Sequence, residues 1–318
     1  MAVTSADVAK RAGVSRATVS LILNGRDERF ASETRDRVRR AAAELDYHPS
    51  VAGRTLARGS SDLVILLIPN TTFGKNLQDL VDRLTEALAA AGLTLVLRFS
   101  TPSAQSLDRI AAGMAPAAVV SMTPLTPEQR RLLDERGVRA IEPSRADDAR
   151  NRAIGELQAR HLIAQGHTRL AFAHLADARQ DPFGIAREEG VRAACAEAGL
   201  AEPQIVRLDV TPRDAIAAVD ALEPPGVAVV CYNDDVATAL LSAGTVRGWR
   251  VPSELALIGM DATPLAQLTI PPLTTVAYDL GAAATAMFER ILTELGRADA
   301  ATTAAADSPL AIVPGGTS

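Results

Sequence analysis

What this chain lacks narrows its class before its contents are considered. No apolar run approaches the roughly 18 residues needed to cross a bilayer, which argues against a transmembrane helix. The stretch from Met1 to Lys10 is polar and capped like a helix start, without the basic-then-apolar layout of a secretory signal, so a cytoplasmic protein is expected. Only two cysteines are present, Cys195 and Cys231, each in an apolar stretch with no C-x-x-C spacing and no histidine at metal spacing. Buried, reduced thiols are expected rather than a disulfide framework or a metal site. No G-x-G-x-x-G or phosphate-loop pattern, nucleophile–base pair or cofactor loop stands at recognisable spacing. The expectation is a protein that is not an enzyme and carries no cofactor and no metal.

What is there points to several folding units. A chain of 318 residues, 47% of them hydrophobic, fits one small and two medium domains. The net charge of −5 hides an asymmetry. Residues 1–60 hold eleven basic and seven acidic side chains, net +4, whereas the remainder holds twenty-two and thirty-one, net −9. A basic N-terminal segment on an acidic body suits a protein that binds phosphates through one end only.

That segment has the punctuation of three short helices. Thr4-Ser-Ala-Asp7 has the spacing of a capping box. Val8, Ala9 and Ala12 then form an apolar stripe, and Gly13 permits a tight turn. Ser15 is placed to cap a second helix, in which Val19, Ile22 and Leu23 face inward and Arg16, Ala17, Ser20 and Leu21 outward, with Asn24-Gly25 ending it. A third helix is expected from a Ser32 cap, with Val38, Ala41, Ala42 and Leu45 inward and Arg35, Arg39 and Arg40 outward, stopping at Tyr47-His48-Pro49. Two short helices joined by a glycine turn form a helix-turn-helix, whose second helix enters the major groove.

The segment Asp7-Val-Ala-Lys-Arg-Ala-Gly-Val-Ser-Arg-Ala-Thr-Val-Ser20, with Leu23-Asn-Gly25, Thr34-Arg35 and Leu45-Asp-Tyr-His-Pro49, resembles the headpiece of the lactose-repressor (LacI) family. The resemblance implies a transcription regulator that binds an operator in double-stranded DNA as a homodimer, with Thr4, Ser15, Arg16, Ala17, Thr18, Ser20, Leu21 and Asn24 at the DNA. Leu21 stands where the family commonly has a basic residue. The stretch from Ser50 to Gly59 is too short for a stable isolated helix. The resemblance makes it a hinge that orders in the minor groove, with Gly53 at the DNA and Leu56 as an intercalating wedge; a plain linker whose Leu56 packs on the core is the alternative. Ser50 and Gly53 replace the family's usual Asn and Ala, and glycine weakens a helix by about 1 kcal/mol.

From Asp62 onward, apolar strand-like runs alternate with helical periods in two series, Leu63 to Ile141 and Leu170 to Ala277, followed by a last short strand from Leu310 to Val313. Such alternation means parallel sheets with helical crossovers, and ligands in such folds sit beyond the carboxyl ends of strands. The resemblance continues through Gly166-His-Thr-Arg-Leu, Arg187-Glu-Glu-Gly190, Asn233-Asp-Asp-Val-Ala237, Val251-Pro252, Leu257-Ile-Gly-Met-Asp261 and Pro272-Leu-Thr-Thr-Val276. It implies that Arg187, Asn233 and Asp261 contact a small-molecule effector, a sugar or related metabolite, with Phe73 and Phe183 as stacking faces. The same residues have structural alternatives: an Asp261–Arg187 salt bridge, a helix cap at Asn233, buried core at either phenylalanine. His161 and His167 read as structural. The segment from Ser144 to Ala153 is polar where the family has an apolar strand, and Ala153 stands where it has an acidic residue near the pocket, which leaves a degenerate pocket as one outcome.

The expected architecture is an all-α helix-turn-helix headpiece (1–49), a hinge (50–61) and an α/β, periplasmic-binding-protein-like core of two Rossmann-like parallel-sheet subdomains (62–318). Rival readings are a free-standing solute-binding protein, which would have no use for residues 1–59, and a sugar-metabolising enzyme, for which no reacting group is legible. Repression is expected over activation.

Overall fold

The computed structural model describes residues 3–23, 27–47, 61–69, 75–101, 103–177, 181–222, 226–297 and 309–318. Asn24, Gly53, Leu56 and Phe73, named above as site residues, lie outside the described residues.

The N-terminal unit is three helices around one small core. Helix α1 (Ser5–Ala12) starts at Thr4, whose N–H and hydroxyl both donate to Asp7 Oδ2, at 2.9 and 2.7 Å. It ends at Gly13, whose φ of 67° is the left-handed conformation that glycine adopts without strain. Helix α2 (Arg16–Leu23) begins as expected, the Ser15 hydroxyl accepting from the Thr18 N–H at 3.0 Å. Helix α3 (Ser32–Glu44) starts one residue earlier than its sequence suggests: Ala31 is the cap and Ser32 is already helical. Helices of 8, 8 and 13 residues are marginal alone. They are held by Val8, Ala9, Ala12, Val19, Ile22, Val38, Ala41 and Ala42, all buried. Arg11–Glu44 and Arg39–Asp27 ion pairs, both 2.6 Å, and a 2.9 Å bond from Arg37 Nε to the Ala12 carbonyl staple the rim.

The rest of the chain builds two sheets. Strands β1 (Leu63–Ile68), β2 (Thr94–Phe99), β3 (Ala118–Ser121) and β4 (Arg139–Ile141) lie in the order β2-β1-β3-β4, all parallel, connected by helices α4 (Lys75–Ala90), α5 (Ala104–Met114) and α6 (Pro127–Glu135). After helix α7 (Arg145–Ala164), strands β5 (Leu170–Leu175), β6 (Gln204–Leu208), β7 (Val227–Cys231), β8 (Leu255–Met260), β9 (Thr274–Ala277) and β10 (Ala311–Val313) form a second sheet. Its order is β10-β9-β8-β7-β5-β6, parallel except where β10 runs antiparallel to β9. Helices α8 (Gly184–Glu197), α9 (Pro212–Ala221) and α10 (Asp234–Val246) provide its crossovers. Strands β1, β3, β5, β7 and β8 are almost entirely buried, which explains their largely apolar sequences, broken by Ser121 in β3 and His174 in β5.

Helix α11 (Leu280–Glu294) follows β9 in sequence but belongs to the first lobe. Its Ile291 is buried in the core of the first sheet, with Met287, Phe288 and Leu292 packed alongside. The chain therefore passes between lobes after β4, after β9, and again before β10. The polar segment 144–153 is no strand: it opens α7, with the Ser144 N–H donating to Asp147 Oδ2 at 2.7 Å. Asp147 and the Glu142 carbonyl also meet Arg290 of α11, tying this turn to the first lobe.

Candidate functional site

Two surfaces concentrate the polar groups that the fold leaves available. The first is the outer face of α2. Burial of Val19 and Ile22 turns Arg16 and Ala17 fully outward, with Thr18, Ser20 and Leu21 partly exposed beside them. Among the described residues Arg16 has no ion-pair partner, so its guanidinium is available to an outside acceptor. Thr4 and Ser15 are exposed but already act as caps, and the Ser15 and Thr18 hydroxyls lie 2.9 Å apart. The outward face is small, polar and positively charged, and the rigid three-helix core fixes its orientation.

The second lies at the carboxyl ends of the second sheet. Arg187, in the first turn of α8, is buried; its Nη1 donates to the Tyr232 carbonyl at 2.5 Å and its Nε to Asn151 Oδ1 at 3.2 Å. Its guanidinium stacks near two rings, 4.9 Å from the Tyr232 centroid and 5.8 Å from that of Phe183. Asn233 caps α10, its Oδ1 accepting from the Val236 N–H at 3.0 Å, which leaves its amide N–H groups for other acceptors.

Asp261 stands in the turn after β8 with φ of 106°, followed by Ala262 at 47°, a pair of conformations that L side chains rarely adopt. The turn is held from beneath by the buried Asp234, which accepts from Thr263 N–H at 2.7 Å, the Thr263 hydroxyl at 3.0 Å and the Thr275 hydroxyl at 2.6 Å. Burial pushes Asp234 above the usual carboxylate range against these bonds. Gly259 makes room for it, since a Cβ there would lie 2.2 Å from Asp234 Oδ1. The Asp261 carbonyl accepts from Asn76 Nδ2 on α4, a bond that bridges the lobes. Its carboxylate has no hydrogen-bond or ion-pair partner among the described residues. Burial pushes Asp261 up to about 7, Arg187 acting through space in the opposite direction. The anticipated Asp261–Arg187 salt bridge is therefore absent, whereas the anticipated cap at Asn233 is present.

The sequence did not reveal the supports of this site. Gln158, fully buried on α7, donates through Nε2 to the carbonyls of Cys231 at 3.1 Å and Gly259 at 2.8 Å, the ends of the strands that deliver Asn233 and Asp261. Asn151, in the polar segment that opens α7, accepts from Arg187 Nε and so helps orient it. Helices α7 and α8 approach to backbone contact at two glycines, where a Cβ on Gly155 would lie 2.0 Å from the Arg187 carbonyl and one on Gly190 2.0 Å from that of Arg152.

A helix-turn-helix unit ahead of a two-lobed α/β core defines a DNA-binding transcription regulator. Residues 4–50 match the bacterial regulatory proteins of the lacI family, and residues 159–318 match the periplasmic binding protein-like domain. The chain is 31% identical over 295 residues to the HTH-type transcriptional repressor PurR of Vibrio campbellii, covering 86% of each protein. It is 30% identical over 316 residues to the HTH-type transcriptional regulator MalR of Streptomyces coelicolor, covering 92% of this chain and 90% of MalR. The fold is shared with the lac repressor dimer bound to operator and the anti-inducer ONPF (TM-score 0.74, 21% identity, 100% and 99% of the two chains). It is also shared with the regulator CelR in complex with cellobiose (TM-score 0.66, 23% identity, 99% and 100%). The chain belongs to the LacI family of transcription regulators; it is not an enzyme. No described helix is long and apolar enough to cross a membrane.

Proposed function

We propose that this regulator is a cytoplasmic repressor whose homodimer grips a pseudo-palindromic operator and is controlled by a small polyhydroxylated effector, a sugar or a closely related metabolite. In this reading residues 1–49 are the DNA-binding headpiece, 50–61 the hinge and 62–318 the effector-binding and dimerising core. Arg16, Ala17, Thr18, Ser20 and Leu21 face base edges and backbone, Thr4, Ser15 and Asn24 flank them, and Gly53 and Leu56 enter the central minor groove. Two headpieces match a two-fold site. The relatives named as repressors and the lac repressor dimer on its operator support this arrangement. Leu265, Leu268 and Ile270, 70%, 75% and 92% exposed around one short turn of the second lobe, offer a second copy an apolar face.

The observation that carries the effector reading is the unpartnered carboxylate of Asp261, opposite buried Arg187. A hydroxyl-bearing ligand donates to that carboxylate and accepts from the Asn233 amide, with Phe183 and Phe73 against its apolar face. The effector acts by binding one lobe arrangement better than the other.

A thermal-shift screen of the full chain against mono- and disaccharides tests this. A ligand present at about one hundred times its Kd stabilises by about 2.7 kcal/mol, enough to raise Tm visibly. Stabilisation by at least one sugar, abolished in Asp261→Asn, is expected; a panel that leaves Tm unmoved contradicts the effector reading.

A further inference from the structure

Behind the cleft lies an ionic cluster for which the proposed function has no use. His174 on β5 is completely buried, its ring in edge contact with Phe172. Its Nδ1 lies on Asp181 Oδ2 and its Nε2 lies 2.7 Å from Glu188 Oε2, so each ring nitrogen meets a different carboxylate. Asp181 is itself buried, and its second oxygen has no hydrogen-bond partner among the described residues. Arg207 on β6 approaches Asp181 Oδ2 only to 3.9 Å, and Arg192 pairs with the other oxygen of Glu188 at 2.7 Å while also reaching Glu202. Burial raises Glu188, but bonds from His174 and Arg192 outweigh it and hold the carboxyl below its ordinary range.

Ionised carboxylates only accept, so satisfying both requires two ring N–H groups, which only the imidazolium has. Removing that charge would leave one buried carboxylate against a lone pair, a loss far larger than the worth of an exposed pair. The cluster also sits where position matters. Asp181 lies two residues before Phe183, and Glu188 follows Arg187 directly, so the carboxylates bracket the turn and first helical turn that present both cleft side chains. Gly184 is packed against Asp181, its Cβ position lying 2.1 Å from Oδ1, so the carboxylate is built into that turn.

We propose that His174 is a positioning residue of the effector cleft, held as an imidazolium whose two N–H groups clamp Asp181 and Glu188 and thereby fix the turn carrying Phe183 and the helix carrying Arg187. This rests on the reading that the Arg187–Asp261 cleft takes the effector, but its test needs no effector. The full chain, labelled with nitrogen-15 in its four histidines, gives ring spectra in which His174 is assigned by its disappearance in His174→Gln. Two protonated ring nitrogens at neutral pH are expected; one bare ring nitrogen, meaning that the proton sits on a carboxyl or is missing, overturns the assignment. In Asp181→Ala, which removes the acceptor facing His174 Nδ1 and alters no residue proposed to contact the effector, exchange of the 184–190 amides is expected to quicken about tenfold, the equivalent of one such bond. Unchanged exchange there overturns the positioning role. A cleft that binds no sugar would sink the effector reading while leaving both results intact.

Discussion

At the scale of single residues, the proposed effector site is organised around a carboxylate that folding makes uncomfortable. Asp261 is raised from an ordinary value near 3.8 to about 7 by burial. The folded chain therefore holds its proton more tightly than the unfolded one, and the associated stability is complete below about pH 4 and is lost as pH rises through about 7. Asp261→Asn cannot lose a proton there. Between pH 5 and 8 the parent chain without ligand is therefore expected to lose roughly 1–3 kcal/mol relative to this variant, read as the difference between their two denaturation profiles; parallel profiles would contradict the shift. A ligand hydroxyl at Asp261 supplies what the fold withholds. In the proposed DNA contact, Leu21 is the corresponding residue. A leucine cannot make the bidentate contact to guanine that arginine makes, so Leu21→Arg is expected to add a guanine preference worth about 1–3 kcal/mol at one base pair of each half-site. Selection of bound sequences reads this directly, and an unchanged preference would remove Leu21 from the interface.

At the scale of elements, the crossing of α7 and α8 joins the lobe junction to Arg187. Backbone contact at Gly155 leaves no room for a methyl group, so Gly155→Ala is expected to destabilise the core by about 1–3 kcal/mol and to displace Arg187, with loss of sugar-induced stabilisation. Urea denaturation with and without sugar separates the two effects, and an unaltered midpoint would show that the helices can part freely. Most of these elements are legible in the sequence. The strands announce themselves as short apolar runs between glycine-bearing turns, and the caps at Ser15 and Thr4 by spacing alone. The opening of α7 is not legible, because a polar stretch with a Ser144–Asp147 box fits a helix as well as a loop, and the resemblance pointed to a strand. The lobe membership of α11 is equally hidden: its apolar face is visible, but nothing local tells which sheet it covers. Of the proposed site, Arg187, Asn233 and Asp261 are singled out by motifs that the resemblance carries, whereas Asn151, Gln158 and the His174 cluster act through contacts distant in sequence.

At the scale of the whole molecule, the charge asymmetry acquires a physical meaning. The basic, three-helix headpiece has its own core and turns Arg16 outward, while the two lobes of the acidic core are bridged by the Asn76–Asp261 bond and by Arg290 of α11. In the proposed mechanism, a ligand that changes the lobe arrangement has three chain crossings through which to act on the DNA-binding end. The central claim, that residues 1–59 confer sequence-specific DNA binding, is tested most directly by selection from random duplex DNA. The full chain would be compared with a chain lacking those residues, at two salt concentrations. Enrichment of a pseudo-palindrome with a deformable central step by the full chain alone, weakening steeply with salt, is the expected result. Equal enrichment by the shortened chain, or enrichment by neither, would contradict it.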